Sequence, residues 1–443
     1  MNLQLVKKIL SLILILFLFI LSRFYIYKYW PTNYSDVRTD YERYARMWNY
    51  GLIPYTHHMY EYPPLTIPLV ALPLKYEHLG VNYYHNYRFE VMVVDITFFI
   101  FLVASVYKLF KKDHLIKKIS IILFYILITS LAKNFFYEGL DLIFMSSIFT
   151  SFLLFIWLNT KKMLGKTLVW LFFWISTAIK FLTLPLMIPI FLIIYSDWKK
   201  DISSFLTGFI LIWGIPIIIF RSTLLVPFVL NNNRPIKNSS FPAYIIKLID
   251  YQTNTETKGN KPPDFEYTGP VTSTITNGTT ILFPSAMLLW LIWSSLYIFK
   301  NKNLKLNRKR KNLTNNLKKL IKFIVSEIKY PTSINKNKQL MVLLRIYGIY
   351  LFTMFFFAKI FSQPFHIWYM ALIAIYPFLI KKNPIILWIA ALVMVTHDTT
   401  TLLYLPSNPD SNLFNYPYFM YGYLLFKYIP MGYVYYYFIK NGD

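Results

Sequence analysis

Three observations predict that this chain folds as an all-α polytopic membrane protein. More than half of its residues are hydrophobic (56%) and only 15% are charged, against about 25% charged in a soluble domain. Apolar runs recur along the whole chain at close to the roughly 20 residues that a bilayer span needs. The remaining charge is strongly basic, 46 Lys+Arg against 20 Asp+Glu for a net +26, and it clusters between the runs. Such clusters hold loops on the cytoplasmic side and attract anionic lipid. Membrane lipids are therefore expected partners, and nucleic acid, which the same charge would suggest in a soluble protein, is not. The chain has no cysteine, which excludes both a disulfide framework and a thiolate metal site.

Counting runs of that length gives about 12 transmembrane helices (range 10–13), packed as a single bundle over residues 1–443. Residues 1–22 combine a basic start with an apolar run but lack a small-residue cleavage site, so an uncleaved first span (9–29) is expected in place of a signal peptide. With Lys7 and Lys8 inside, residues 30–90 form a first outer loop. Span two (91–109) returns to a basic turn holding Lys108, Lys111, Lys112, Lys117 and Lys118. Spans three (119–132) and four (141–159) make a hairpin with an outer tip from Lys133 to Asp141.

The run 167–195 is too long for one span and has basic flanks on both sides, so two short helices should meet near Lys180 and Pro185. Span seven (202–220) leads to a second large outer loop, 221–280. Span eight (281–299) returns to a basic cytoplasmic segment, 300–338. There Leu313, Leu317, Leu320, Ile321, Ile324 and Ile328 repeat at helical spacing, as in a helix lying on the inner leaflet. Spans nine (341–358) and ten (365–380) place Lys359 to His366 at an outer tip, and spans eleven (384–400) and twelve (418–438) complete the bundle. Both termini are expected in the cytoplasm, and the two large loops on the extracytoplasmic face of a plasma or inner membrane. Residues 65–74, with three prolines, are too short and broken to cross and should be re-entrant or interfacial.

Carboxylates confined near a membrane surface are costly and usually have a task. The first outer loop carries Asp36, Asp40, Glu42, Glu61 and Glu77, and the next tip carries Glu138 and Asp141. Val37, Tyr41, Tyr44, Ala45 and Trp48 fit a helix over 35–50 lying along the membrane, with Ser35 or Asp36 at its start. A carboxylate there would be favoured in its charged form by the helix dipole, as a base must be; Asp36 as a mere N-cap is the plain alternative. Lys133, Lys180 and Lys359 all fall at outer tips, with His366 beside the last. Positive residues ordinarily avoid such places, so together they are candidates for a phosphate site. Arg234 in Asn-Asn-Asn-Arg-Pro is a further candidate phosphate ligand, with Arg221 behind it. His57, His58 and Glu61 could assist or orient hydroxyls, and Asp95 inside span two needs a partner, with Arg88 and Lys180 as candidates. Sequons stand at Asn33, Asn238 and Asn277; the first abuts Asp36 and is expected to be unoccupied.

Asp36-Val37, Tyr41, Tyr44-Ala45, Gly51, Pro54-Tyr55 and Glu61-Tyr62-Pro63-Pro64-Leu65 together resemble the first outer loop of the GT-C superfamily of membrane glycosyltransferases. Within it, the pattern is similar to the polyprenyl-phosphate-mannose-dependent mannosyltransferases, including those that build phosphatidylinositol mannosides. Ala178-Ile179-Lys180 with Pro185, Asp95, and Phe361-Ser362-Gln363-Pro364 with Trp368 and Pro377 add to it. The spacing from Asp36 to Tyr41 is one residue longer than in the family, and Asp40 directly precedes the tyrosine, so either aspartate remains a candidate base.

The resemblance implies a GT-C-like fold and an inverting transfer of a sugar, mannose by family default, from a polyprenyl-phosphate donor. The acceptor would be a hydroxyl of a glycolipid or glycan on the extracytoplasmic face. It implies Asp36 or Asp40 as catalytic base, and the cations already picked out by their placement, Lys180, Arg234, Lys359, His366 and Lys133, would then surround the donor phosphate. Tyr55, His57, His58, Glu61, Tyr62 and Gln363 would line the substrate, with no metal and no cofactor. The rival readings are a polyprenyl-linked glycan ligase or polymerase of the cell envelope, whose chemistry would sit in a late arginine- and histidine-rich loop, and a transporter, which predicts charges paired at mid-bilayer.

Overall fold

The computed structural model describes residues 3–28, 35–160, 162–232, 234, 236–237, 240–249, 255–257, 265–267, 270–303, 335–404 and 421–441. Within them the chain is almost entirely helical. The exception is a pair of short antiparallel strands, β1 (Thr255–Thr257) and β2 (Phe265–Tyr267), with Glu256 opposite Glu266.

The long helices are α1 (Leu3–Lys28), α4 (Tyr83–Leu109), α9 (Trp198–Phe220), α12 (Pro270–Asn303) and α13 (Lys336–Phe357). Among the described residues these supply the five spans that are long and apolar enough to cross a membrane. Between α1 and α4 lie the short α2 (Glu42–Asn49) and α3 (Thr66–Ala71). Shorter apolar helices fill the rest: α5 (Leu115–Leu131), α6 (Asp141–Trp157), α7 (Met163–Ile179), α8 (Met187–Ile194), α10 (Val226–Asn232), α11 (Phe241–Ile249), α14 (Ile367–Leu379), α15 (Ile385–Tyr404) and α16 (Ile429–Lys440).

The core is built on α6, α13 and α14, whose side chains are buried nearly all round, Phe144, Phe152, Tyr347, Trp368 and Tyr376 among them. A helix that is apolar on every face needs protein or lipid on every side. By contrast α1, α9 and α12 turn rows of large apolar side chains outward, Leu10, Ile13 and Phe17 on α1, Ile210, Leu211 and Ile218 on α9, Leu288 and Leu289 on α12. Exposure on that scale belongs to a surface facing lipid rather than water, so the protein is membrane-embedded.

Several expected features are present. The break in 167–195 falls at Lys180, where α7 ends and the 3-10 turn Phe181–Leu186 leads into α8. Residues 65–74 form α3 followed by a 3-10 turn, Leu72–Leu79. Other expectations shift. The second loop is not continuous coil: it holds a 3-10 turn Arg221–Leu225, α10, α11 and the strand pair. The following helix α12 begins at Pro270, not near 281, and takes Asn277 into its length. The inner-leaflet helix expected over 313–328 and the sequons at Asn33 and Asn238 lie outside the described residues. Asp95 pairs with neither Arg88 nor Lys180. Arg23 of α1 reaches it at 2.7 and 3.2 Å, and Tyr137 donates to it at 2.9 Å. Arg88 instead turns toward the end of α1, where it binds the carbonyls of Ile26 and Tyr27 that the helix leaves unpaired.

Candidate active site

Five segments that are distant in sequence meet at one end of the bundle. Ser35 donates to Glu138 at 2.5 Å, and Leu65 N–H donates to the Ala178 carbonyl at 3.1 Å. Arg234 forms an ion pair with Glu61, and Lys237 N–H donates to the Lys359 carbonyl at 2.9 Å. These contacts gather residues 35–65, 134–141, 178–186, 234–241 and 358–368 into one neighbourhood.

Asp36 sits at its centre. Ser35, not Asp36, caps the helix: its Oγ accepts Val37 N–H at 3.2 Å and its carbonyl accepts Arg38 N–H at 3.0 Å. Ser35 is in turn fixed by Glu138, which also accepts from Tyr84 at 2.8 Å and pairs with Arg88 at 3.1 Å. That leaves the Asp36 side chain out of the capping network. Asp36 itself is helical and leads into a π-turn, Val37–Tyr41, before α2 begins. Widened turns of this type are frequent at functional sites.

Among the described residues the Asp36 carboxylate accepts no hydrogen bond, and it is open to solvent on one face. Asp40, by contrast, is held by Thr39 at 3.2 Å and by Arg43 at 3.0 Å. Crowding by surrounding protein is the largest influence on Asp36 and pushes its pKa up. The charges of Asp40 and Asp141 push the same way, while Lys237 and Lys180 oppose them. The open face tempers the desolvation without reversing its direction.

Lys180 stands at the end of α7, extended rather than helical, because Pro185 and the following turn stop the helix from continuing. Its Nζ is 2.6 Å from Asp141 at the start of α6. It also lies 5.0 Å from the centroid of Trp368 and 5.1 Å from that of Phe365. The Trp368 indole N–H donates to the same Asp141 oxygen at 2.7 Å, and the Phe365 and Trp368 rings stack 4.0 Å apart. Lys180, Asp141 and Trp368 thus form a cationic, aromatic wall next to Asp36. Tyr41, Tyr62 and Tyr87 complete the floor. Tyr41 and Tyr62 meet edge to face at 5.4 Å, as do Tyr60 and Tyr62 at 5.9 Å. Burial raises the pKa of Tyr41 and Tyr62 well above normal, and nearby Asp36 adds to it, so both stay protonated donors.

The Pro54-Tyr55 and Tyr62-Pro63-Pro64 motifs are structural supports for this floor. Tyr55 adopts φ 66°, costly for a bulky residue, and its hydroxyl holds the Tyr62 carbonyl at 2.5 Å. Gly51, at φ 81°, makes the turn out of α2. His57 accepts Ile53 N–H at 3.0 Å within that loop, and His58 stacks on Tyr44 with ring centroids 5.7 Å apart. His57 is thus engaged in the local turn, while His58 keeps a buried Nε2 without a hydrogen-bond partner among the described residues.

The side chains of two other expected phosphate ligands are engaged elsewhere. Lys133 donates to Tyr25 of α1 at 2.7 Å. His366 is fully buried, its ring between Tyr369 at 2.5 Å and Asp398 at 2.7 Å. Asp398 also contacts Lys427 at 3.0 Å and His397 at 3.3 Å. Gln363 opens the 3-10 turn Gln363–His366 beside Phe365, and Lys359 joins the site through its backbone. Lys237 is the neighbour that the sequence reading passed over. Its signal was a lysine inside a loop expected outside, where positive residues are disfavoured. Asp141, at first only one of several outer carboxylates, proves to be the anchor of Lys180.

None of the protein-family models, curated proteins or solved structures compared with this chain matches it.

Proposed function

We propose that this chain is an inverting membrane glycosyltransferase with Asp36 as general base. In this reading the bundle is GT-C-like with about 12 spans, and the site faces the extracytoplasmic side. The observation that carries the proposal is the setting of Asp36: a carboxylate outside its own helix cap, open on one face, with Lys237 and Lys180 as its cationic neighbours. A base without hydrogen-bonded partners can accept a proton, and cations next to it can receive an anionic leaving group.

The reaction balances without a further reactant. The acceptor hydroxyl gives its proton to Asp36 as its oxygen attacks the anomeric carbon from the face opposite the phosphate. The bond from that carbon to the phosphate oxygen breaks, and polyprenyl phosphate leaves with the electron pair, its charge met by Lys180 and Lys237. Tyr62, packed on buried Tyr41, supplies a neutral donor to sugar hydroxyls, and Phe365, stacked on buried Trp368, offers an apolar face to the ring or the first prenyl unit. Glu61 and Arg234, bound to each other, stand at the edge where the two loops meet.

The transfer is tested with purified protein, radiolabelled polyprenyl-phosphate mannose and a lipid-extract acceptor, with and without chelator. Product formed by the parent protein and lost in Asp36→Asn supports the reading; activity unchanged in Asp36→Asn rejects it. The buried pairs Arg23–Asp95 and Asp398–Lys427 are what a transporter would display, so counter-flow of labelled substrate in proteoliposomes is the matching test of that second reading.

A further inference from the structure

The chain has a second π-turn, Leu424–Tyr428, at the start of the last helix. The extra residue of a π-turn rotates the side chains after it, and here it directs Lys427 fully into the bundle. Lys427 meets Asp398 at 3.0 Å and lies 4.4 Å from the centroid of Phe361, in the loop that carries Lys359. The next residue, Tyr428, donates its hydroxyl to the Ser240 carbonyl at 3.1 Å. Ser240 N–H in turn donates to the Lys237 carbonyl at 2.9 Å, and Lys237 N–H donates to the Lys359 carbonyl at 2.9 Å. One π-turn therefore grips both loop segments that approach Asp36 from the C-terminal half, and those segments are bonded to each other.

We propose that Tyr428, seated by the Lys427–Asp398 pair, is a positioning residue that sets the distance between Lys237 and Asp36. The inference rests on the transferase reading but adds a residue that never touches the substrate. The groups facing Asp36 are Lys237 from the second loop, Lys180 from the end of α7, Asp141 from α6, Asp40 from its own turn, and Tyr41, Tyr62 and Tyr87 from the floor. Among them only Lys237 is tied to the last helix through Ser240. Losing the Tyr428 hydroxyl should let Lys237 drift away and remove one of the two cations that favour the charged base.

The experiment compares pH profiles of kcat/KM for the parent, Lys237→Met, Tyr428→Phe and the double variant, using full-length protein in nanodiscs. Tyr428→Phe keeps the ring and removes one oxygen, so folding is checked only by thermal melting. The expected result is an acid limb displaced upward in Lys237→Met, by about half a pH unit or more, and in the same direction but less in Tyr428→Phe. The double variant should show no displacement beyond that of Lys237→Met. An unchanged limb in Tyr428→Phe with a displaced limb in Lys237→Met overturns the inference and leaves the transferase reading intact. Displacements that add in the double variant also overturn it, since Tyr428 would then act by another route. A parent protein without transfer activity rejects the reading on which the inference stands. A melting temperature that falls in Tyr428→Phe without any movement of the limb assigns Tyr428 a purely structural role.

Discussion

Lys180 Nζ and Asp141 Oδ1 lie 2.6 Å apart, joining the end of α7 to the start of α6, with the Trp368 indole donating to the same oxygen. Asp141 is therefore already shared between a cation and a neutral donor before any ligand arrives. It fixes where Lys180 points while leaving ammonium hydrogens for another anion. Lys180→Met should lower kcat/KM by about 10²-fold, the scale seen when one donor to a developing anion is removed. Steady-state transfer assays check this, and a loss of less than fivefold would remove Lys180 from the leaving-group site.

The two candidate bases should separate cleanly. Asp36→Asn is expected to reduce turnover by about 10²- to 10⁴-fold, the usual contribution of a general base. Asp40 is engaged by Thr39 and Arg43, so Asp40→Asn should keep activity within about tenfold of the parent. Single-turnover transfer with both variants at matched protein concentration decides between them; the reverse order would move the base to Asp40.

The pH dependence follows from the charges around Asp36. Its folded pKa is raised by crowding first, and Asp40 and Asp141 add to the rise. The carboxylate must be ionised to accept a proton, so activity should fall with acidification through a midpoint above the ordinary aspartate value of about 3.9. Asp40→Asn removes a neighbouring negative charge and should move that midpoint down. Profiles of kcat/KM between pH 4 and 9, roughly the range bracketing a raised carboxylate, provide the check.

Arg23 and Asp95 are both buried, and Tyr137 and Thr129 complete their hydrogen bonds. Removing one charge strands the other in an apolar interior. Arg23→Met should cost about 3–5 kcal/mol of stability, and Arg23→Met with Asp95→Asn should recover most of it. Thermal unfolding in detergent measures both. A loss in the double variant equal to the sum of the Arg23→Met and Asp95→Asn losses would show that the pair is not coupled.

Arg234 and Glu61 are linked at the rim, with the arginine side chain 41% and the glutamate 19% exposed. An ion pair that open contributes no more than about 1 kcal/mol to stability. Arg234→Gln should therefore leave the melting temperature nearly unchanged while weakening the hold of the second loop on the first. A raised KM for the lipid donor with little change in kcat is the expected outcome in the same transfer assay.

Much of this arrangement was legible in the residues. The break at Lys180 follows from a run too long for one span with a proline after it, and closely spaced prolines mark 65–74 as too broken for a span, though not that it folds as α3 and a 3-10 turn. The segments that carry Asp141, Lys180 and Lys359 do meet at one end of the bundle, while Lys133 turns aside to Tyr25. What stayed hidden was pairing. Periodicity gives the face a residue occupies but not which helix lies opposite. Nothing in the first apolar run therefore marks Arg23 as the partner of Asp95, and the place of His366 next to a tip hides its burial against Asp398. Lys237 is hidden for another reason: it lies in a polar loop with no period, and its place is set by bonds to Lys359 and Ser240 that are distant or irregular in sequence.

The hydrogen bond from Leu65 N–H to the Ala178 carbonyl has a mechanical result. It fastens the Tyr-Pro-Pro segment to the last turn before Lys180, so the loop that carries Asp36 and the end of α7 are pinned together and neither can shift alone.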